Sequence, residues 1–414
     1  MNSDNLCQAV ITLGGKGSRF KNISGEIPKP LFPILDKSTL YRCCEELVKN
    51  KIKNIIFNLG FKNDIFLNYA EELKETLSFN LKVYVENQPL GECGALWEIE
   101  DLLFENFVFI NGDLIFSLEF SKLFFFHKRL NSMLTLVTHT SDHPEDSDLV
   151  SCPNGCLIED IFFKTDKNKL KNAYLGNSGI SVINKKILRI IQKPTNSSSN
   201  SIFSFLVKKM YEKSMNIYSY NTTEYIKDMG TAKRFTKVEN DLKQNIIVSK
   251  NYKNKQKALF LDRDNTILSC EIGKYIVKDS RLEFLDENIE KLAILSKDFD
   301  IVCLITNQPQ IAMGALTLKE LDYINCVLIN YCLKKGLKID VVTFCPHHPH
   351  RGFDKEISIL KKDCFCRKPN PGLFFEQAFL RNINLENSLM VGDSITDLVA
   401  SKNAGCQFKY VGNL

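Results

Sequence analysis

Apolar and polar positions alternate in a rhythm that starts twice along the chain. Residues 9–13 form a short, nearly unbroken apolar run, the pattern of a buried strand. Residues 39–50 then carry apolar side chains at helical spacing, 54–59 are again a strand, 65–77 a helix and 81–86 a strand. Residues 107–110 add another buried strand. Short strands alternating with amphipathic helices predict a parallel sheet with helices on its faces. Further on the pattern thins. Strands are expected at 135–138 and 158–163, a turn and then a strand at 175–183, a polar low-complexity loop at 194–201, and a strand-like run at 225–231. Residues 241–256 read as a helix end followed by a Lys/Asn-rich stretch without period. The strand pattern restarts at 258–261, returns at 301–305 and 389–391, and frames a long amphipathic helix at 317–335. The pattern therefore predicts two α/β domains, 1–248 and 257–414, joined by a linker at 249–256.

The polar residues that could do chemistry cluster at strand ends, where open parallel sheets hold their ligands. In the first half, the strand at 9–13 runs into Gly14, Gly15, Gly17, Ser18 and Arg19. Glycines let a backbone approach a phosphate closely, and Arg19 adds a forked cation. The run lacks the Gly-Lys-Ser/Thr ending of a Walker loop. Pro28 and Pro30 stiffen the chain around Lys29. Gly91 and Gly94, after the strand at 81–86, permit close approach to a flat ligand. Asp113 ends the strand at 107–110 and Asp228 precedes a glycine; the two suit a shared Mg²⁺, and an aspartate in such a place also suits a backbone cap.

In their order and spacing, GGKGSR, PKP, PLGECGAL, NGD, the NSGI turn and KDMGT resemble the sugar-phosphate nucleotidyltransferases over about the first 245 residues. That resemblance implies a Rossmann-like domain joining a nucleoside triphosphate to a sugar 1-phosphate. Gly14, Gly15, Gly17 and Arg19 would hold the triphosphate, Lys29 would contact phosphates, Gly91 would line the substrate site, and Asp113 and Asp228 would bind Mg²⁺. Lys164 resembles the family's sugar-side lysine.

In the second half the strand at 258–261 ends in Asp262 and Asp264. One carboxylate can act as nucleophile and the other as acid and base, with a cation between them. Thr306 and Asn307 end the next strand and can donate to a phosphoryl oxygen. Arg367 and Lys368 stand in CRKP, and Asp393 and Asp397 in GDSITD. Cys345, His347, Cys364 and Cys366 form C-x-H and C-x-C pairs separated by a loop, four soft ligands of the closed, structural zinc type, with His348 and His350 as alternative ligands. This half resembles the haloacid dehalogenase superfamily of phosphatases, without a large cap insertion. The cysteine pattern followed by RKP resembles the zinc-loop branch that contains heptose bisphosphate and histidinol phosphatases. The resemblance implies that Asp262 forms an aspartyl-phosphate and that Asp264 protonates the leaving oxygen and then activates water. Thr306 and Lys368 would stabilise the phosphoryl charge, with Asn307 and Arg367 on the substrate. Mg²⁺ would be held by Asp262, the carbonyl of Asp264 and Asp393, and Asp397 would orient its neighbours. Asn265 stands at the usual glycine position and is expected to take a left-handed backbone.

Composition narrows the rest. A net charge of +5 without any basic block gives no reason to expect nucleic acid and fits anionic small substrates. No apolar run approaches a bilayer span and no signal peptide is visible, so a cytoplasmic protein without membrane insertion is expected. Fourteen cysteines scattered through apolar patterns read as reduced thiols. A homo-oligomer is compatible with all of this. Together the two resemblances imply consecutive steps: removal of the 7-phosphate of a heptose 1,7-bisphosphate, then nucleotidyl transfer to the heptose 1-phosphate, with GTP the expected donor. The alternative is a mannose-type nucleotidyltransferase beside a histidinol-phosphate-like phosphatase.

Overall fold

The computed structural model describes residues 7–13, 25, 27–60, 63–88, 90–195, 200–271, 273–278 and 280–414. Two compact units emerge. The first comprises Met1–Thr138, Cys156–Ile161 and Asn177–Asn251; the second comprises His139–Gly155, Phe162–Gly176 and Tyr252–Leu414. Two short pieces of the first half of the sequence are thus counted with the second half, which the local pattern does not reveal. Gly14, Gly15, Gly17 and Arg19, and residues 196–199 of the loop expected at 194–201, lie outside the described residues.

In the first unit, strand β1 (Gln8–Thr12) is followed by α1 (Thr39–Lys49), β2 (Asn54–Leu59), α2 (Asn63–Leu77), β3 (Asn80–Val85), β4 (Asn106–Asn111), β5 (Leu114–Ser117), α3 (Phe120–Arg129) and β6 (Leu134–Thr140). β1 lies between β2 and β4, parallel to both, and β3 extends the sheet beyond β2. Helix α1 starts where the Ser38 hydroxyl accepts from the Tyr41 N–H, and it buries Leu40, Cys43, Cys44 and Leu47, one face at helical spacing. Strand β7 (Leu175–Asn184) runs antiparallel to β4, pairing Ile180 with Ile110. The turn expected at its start lies inside the strand as a local kink: Gly179 has φ +84° and its N–H donates to Asn177 Oδ1, between the paired stretches Leu175–Gly176 and Ile180–Asn184. β8 (Tyr218–Asn221) pairs with β6, and β9 (Tyr225–Asp228) pairs antiparallel with β5 ahead of α4 (Ala232–Lys243).

The second unit holds a five-stranded, all-parallel sheet. Its elements are β10 (Ala258–Leu261), α5 (Asp286–Leu295), β11 (Ile301–Asn307), α6 (Leu318–Lys334), β12 (Val341–Cys345), α7 (Gly372–Arg381), β13 (Leu389–Gly392), α8 (Ile395–Ala404) and β14 (Gln407–Tyr410). Strand order is β12-β11-β10-β13-β14, with β10 in the middle. All four β10 side chains are fully buried, at about 1.5–3 kcal/mol for each large apolar side chain. Phe260 packs on Phe374 of α7 with ring centroids 4.8 Å apart. This makes the end of β10 a rigid platform. Helix α6 begins with a reciprocal capping box between Thr317 and Glu320.

The stretch read as a linker, 249–256, has packed residues. Tyr252 and Gln256 are buried, and the Asn382 carboxamide donates to the carbonyls of Tyr252 and Asn254. The Asn and Gln groups that look solvent-seeking in sequence find backbone partners here. Among the described residues no helix is long and apolar enough to cross a membrane. All fourteen cysteines are free.

Candidate active sites

In the first unit Lys29 opens a short helical turn, Lys29–Leu31, directly after Pro28. Its ammonium is paired with the Asp113 carboxylate, which lies just past β4. The antiparallel register of β9 on β5 sets Asp228 opposite Leu114, the neighbour of Asp113 in sequence. Both Asp228 oxygens accept from Arg234 Nη1 at 3.0 Å, and Asp228 Oδ1 accepts from the Gly230 N–H at 2.6 Å. The two strand-end acids therefore each face a cationic side chain. Carboxylates on adjacent strands are hard donors of the kind Mg²⁺ takes.

Gly91 has φ +77°, and a Cβ there would stand 2.8 Å from Asn200 Cβ. The close approach it permits is to a neighbouring part of the chain. Lys164 follows the short strand Asp160–Phe162. Its N–H donates to Asp148 at 2.8 Å, and it belongs to the segment Phe162–Gly176 of the second unit.

In the second unit the carboxyl ends of three neighbouring strands meet. Sheet register sets Leu261 beside Leu304 and Val391, so Asp262, Thr306 and Asp393 emerge along one edge. Lys368 reaches this edge from the loop before α7. Its ammonium is 2.6 Å from Asp262 Oδ1, 2.6 Å from Asp397 Oδ1 and 3.0 Å from the Ile305 carbonyl. Burial pushes the Asp262 carboxyl up, to about 7, against the attraction of Lys368. For Lys368, burial pulls down but the two carboxylates more than offset it, so its pKa is raised. The ammonium stays charged between two acids. Oxygens of Asp262, Asp393 and Asp397 lie within 4.8 Å of one another, a hard donor set that fits Mg²⁺.

The Asp397 carboxylate is committed to protein donors: Lys368 on one oxygen, and the Ser394 N–H and hydroxyl on the other. Gly392 makes room for it, since a Cβ there would come within 2.5 Å of Asp397 Oδ2. The Asn307 carboxamide donates to the Lys368 carbonyl and accepts from the Lys368 N–H, both at 3.0 Å, and so holds that loop in place. Asn265 has φ +58°, and its side-chain oxygen accepts from the Cys270 N–H at 2.9 Å.

Cys345, at the end of β12, meets His347, Cys364 and Cys366. The sulfur–sulfur separations are 3.4–3.5 Å, and His347 Nδ1 stands 3.2 Å from Cys366 Sγ and 3.6 Å from Cys345 Sγ. A tetrahedral zinc with Zn–S near 2.3 Å has ligand edges of about 3.8 Å, so the four donors fit that ion with little adjustment. Hydrogen bonds led by the one from Cys345 draw the Cys366 thiol down to about 5, so a thiolate is already favoured there. His348 is turned away, its ring bonded to the backbone of His350. Arg367, next in sequence to this cluster, donates to the His347 carbonyl at 3.2 Å.

Three residues that the motif reading passes over also stand at this edge. Arg263, fully buried, grips Asp264 with Nε at 2.7 Å and Nη2 at 3.1 Å, engaging both carboxylate oxygens. A basic residue wedged between two acids at a strand end was the available signal. Gln308 and Gln310 are fully buried behind Thr306. Two glutamines two residues apart give no chemical signal in sequence.

The Nucleotidyl transferase family matches residues 8–245, and the HAD-hydrolase-like family matches residues 365–413. A heptose 1,7-bisphosphate 7-phosphatase of Vibrio cholerae is 32% identical over 148 residues, covering 36% of this chain and 76% of the relative. A D-glycero-α-D-manno-heptose 1-phosphate guanylyltransferase of Campylobacter jejuni is 31% identical over 180 residues, covering 44% of this chain and 77% of the relative. A mannose-1-phosphate guanyltransferase of Yarrowia lipolytica is 25% identical over 231 residues, covering 55% of this chain and 62% of the relative. The chain thus belongs to the nucleotidyl transferase family and, in the same polypeptide, to the haloacid dehalogenase-type phosphatases.

Proposed function

We propose that the chain performs two consecutive steps on one sugar. The 7-phosphate of D-glycero-D-manno-heptose 1,7-bisphosphate is removed in the part spanning 257–414, and the part spanning 1–248 transfers a nucleotide, GMP from GTP, to the heptose 1-phosphate. The observation that carries this reading is the similarity of one chain to both a heptose bisphosphate phosphatase and a heptose 1-phosphate guanylyltransferase. The product of the first reaction is the acceptor of the second.

In the phosphatase step an Asp262 oxygen attacks phosphorus and the sugar oxygen leaves, taking a proton from Asp264. Water then attacks the aspartyl-phosphate and gives its proton to Asp264, releasing inorganic phosphate. Thr306 and Lys368 stabilise the charge on the transferring group. Both Asp264 oxygens are engaged by Arg263, so its acid–base work requires it to turn from that partner toward the leaving oxygen. In the transfer step the sugar phosphate attacks the α-phosphorus and pyrophosphate leaves, so the chain's work is positioning and charge neutralisation. Lys29, Arg19 and the glycines Gly14, Gly15, Gly17 and Gly91 serve the triphosphate, and Lys164 serves the sugar side. Asp113 and Asp228, and separately Asp262, Asp393 and the Asp264 carbonyl, would hold Mg²⁺, which would supply charge neutralisation at the phosphoryl oxygens. Cys345, His347, Cys364 and Cys366 would hold a structural zinc, which would pin the loop that carries Arg367 and Lys368. The nucleotide donor and the free thiols suit a reducing cytoplasm.

Incubation with the heptose 1,7-bisphosphate, Mg²⁺ and each nucleoside triphosphate, read by mass spectrometry, tests this. GDP-heptose, phosphate and pyrophosphate are the expected products. No nucleotide-heptose with any triphosphate overturns the reading. Similarity to the Yarrowia guanyltransferase favours mannose 1-phosphate as a second acceptor, which the same assay includes.

A further inference from the structure

We infer that Gln310 and Gln308 are positioning residues that fix the Thr306 hydroxyl as a donor facing the phosphoryl group. This rests on the reading of Thr306 as a phosphoryl-stabilising donor, and it deepens that reading. The argument is one of hydrogen-bond polarity. Gln310 Nε2 stands 3.2 Å from the carbonyl oxygen of Ile276 and 2.7 Å from Gln308 Oε1. A backbone carbonyl can only accept, so Gln310 must turn its NH₂ that way. Gln308 must then offer its oxygen to Gln310 and its NH₂ to the other side. There Gln308 Nε2 donates to Thr306 Oγ1 at 3.0 Å. The hydroxyl oxygen is thus occupied as an acceptor, and its proton must point elsewhere. Among the described residues that proton has no acceptor, and the hydroxyl stands one residue past Ile305, whose carbonyl holds the Lys368 ammonium.

Turning both amides over would leave the Ile276 carbonyl and the Gln310 NH₂ without partners. The observed sense leaves Gln310 Oε1 unpaired and the Thr306 proton open, whereas the reverse would also set the Gln310 oxygen against the Ile276 carbonyl oxygen at 3.2 Å, two acceptors with no proton between them. Facing acceptors repel and an unpaired buried polar group is costly, so the observed sense is preferred. All three side chains are at most 2% exposed, so water cannot scramble the order. Ile276 belongs to the loop that follows Asp264. The relay therefore ties the acid–base loop to the phosphoryl-binding strand end, and a hydroxyl pre-aimed in this way needs no reorientation when phosphate arrives.

The test compares Gln308→Glu, Gln308→Met and Thr306→Ala, singly and as double variants, in the full-length protein. Turnover of the heptose 1,7-bisphosphate and of p-nitrophenyl phosphate is followed, with melting curves as the fold check. A carboxylate at position 308 accepts from Thr306 and turns its proton inward. Gln308→Glu is therefore expected to lower kcat by roughly 10²-fold, the loss typical of one missing charge-stabilising donor, with KM little changed. Gln308→Met frees the hydroxyl to rotate and is expected to lose less. In a Thr306→Ala background neither change should lower kcat further. Losses that simply add to that of Thr306→Ala overturn the relay while leaving the site reading intact. A Thr306→Ala protein with unchanged kcat overturns the site reading and the relay with it. If Gln308→Glu fails to fold, the neutral Gln308→Met and its double variant decide by the same criterion.

Discussion

At the residue scale, the pairing of Arg263 with Asp264 sharpens what the second aspartate does. A carboxylate gripped on both oxygens by a buried guanidinium has neither oxygen turned to a substrate, whereas an acid for a sugar leaving group must reach the leaving oxygen. Asp264→Asn is therefore expected to cut turnover of a sugar phosphate by about 10²–10⁴-fold. With p-nitrophenyl phosphate, whose leaving group needs no proton, the first step should be nearly unaffected and the second slow. Rapid-quench measurement should then show a burst of nitrophenol and an accumulating phosphoprotein. Equal losses on both substrates without a burst would remove Asp264 from the acid–base role. Asn265, beside it, supplies the left-handed backbone expected of that position, and its side chain bonds the chain five residues on. A glycine could supply only the first.

At the element scale, the loop between β12 and α7 carries Lys368 across to Asp262, and the Asn307 carboxamide and the Cys/His cluster are among the contacts that hold it. Replacing one of four closed ligands should release it. Cys364→Ser is expected to lose bound zinc and to lower phosphatase activity by more than about tenfold, while nucleotidyl transfer persists. Elemental analysis alongside the two assays checks this. Undiminished phosphatase activity in zinc-free protein assayed with Mg²⁺ would show that the cluster does not govern the loop.

At the scale of the whole molecule, the two units should respond separately to pH. His127, on α3 in the first unit, is almost fully buried, with Nδ1 2.9 Å from Thr135 Oγ1 and Nε2 3.1 Å from Asn106 Oδ1. Burial, aided by Lys128, pushes its pKa down to about 4. The unfolded chain, with an ordinary histidine near 6.5, binds a proton that the folded unit resists. The neutral imidazole's contribution is thus fully present above about pH 6.5 and is lost as pH falls toward 4, a change on the order of 2–3 kcal/mol. The chain's single tryptophan, Trp97, lies in this unit with its indole N–H bonded to the Leu188 and Ile191 carbonyls, so its fluorescence reports this unit's unfolding. Urea titrations followed by Trp97 should show this acid slope, and His127→Gln should flatten it. An unchanged slope in the variant would assign acid sensitivity to other groups.

The sequence by itself determined the local part of this protein. Strand and helix periods, proline and glycine placement and the spacing of acids and thiols are short-range, so β2 at Asn54–Leu59, α6, and the strand-end positions of Asp228, Asp262 and Thr306 were all legible in it. The four zinc-type ligands were legible too, because two short motifs carry them. What only the tertiary structure decided are relations between residues far apart in the chain. The register of β10 on β11 and β13 brings Lys368 between Asp262 and Asp397, more than a hundred residues from the first of them. Packing, not period, assigns 139–155 and 162–176 to the second unit. The polarity of the Thr306 hydroxyl is set by one carbonyl, that of Ile276, because a buried hydrogen-bond chain takes its direction from its end and not from the residues that compose it.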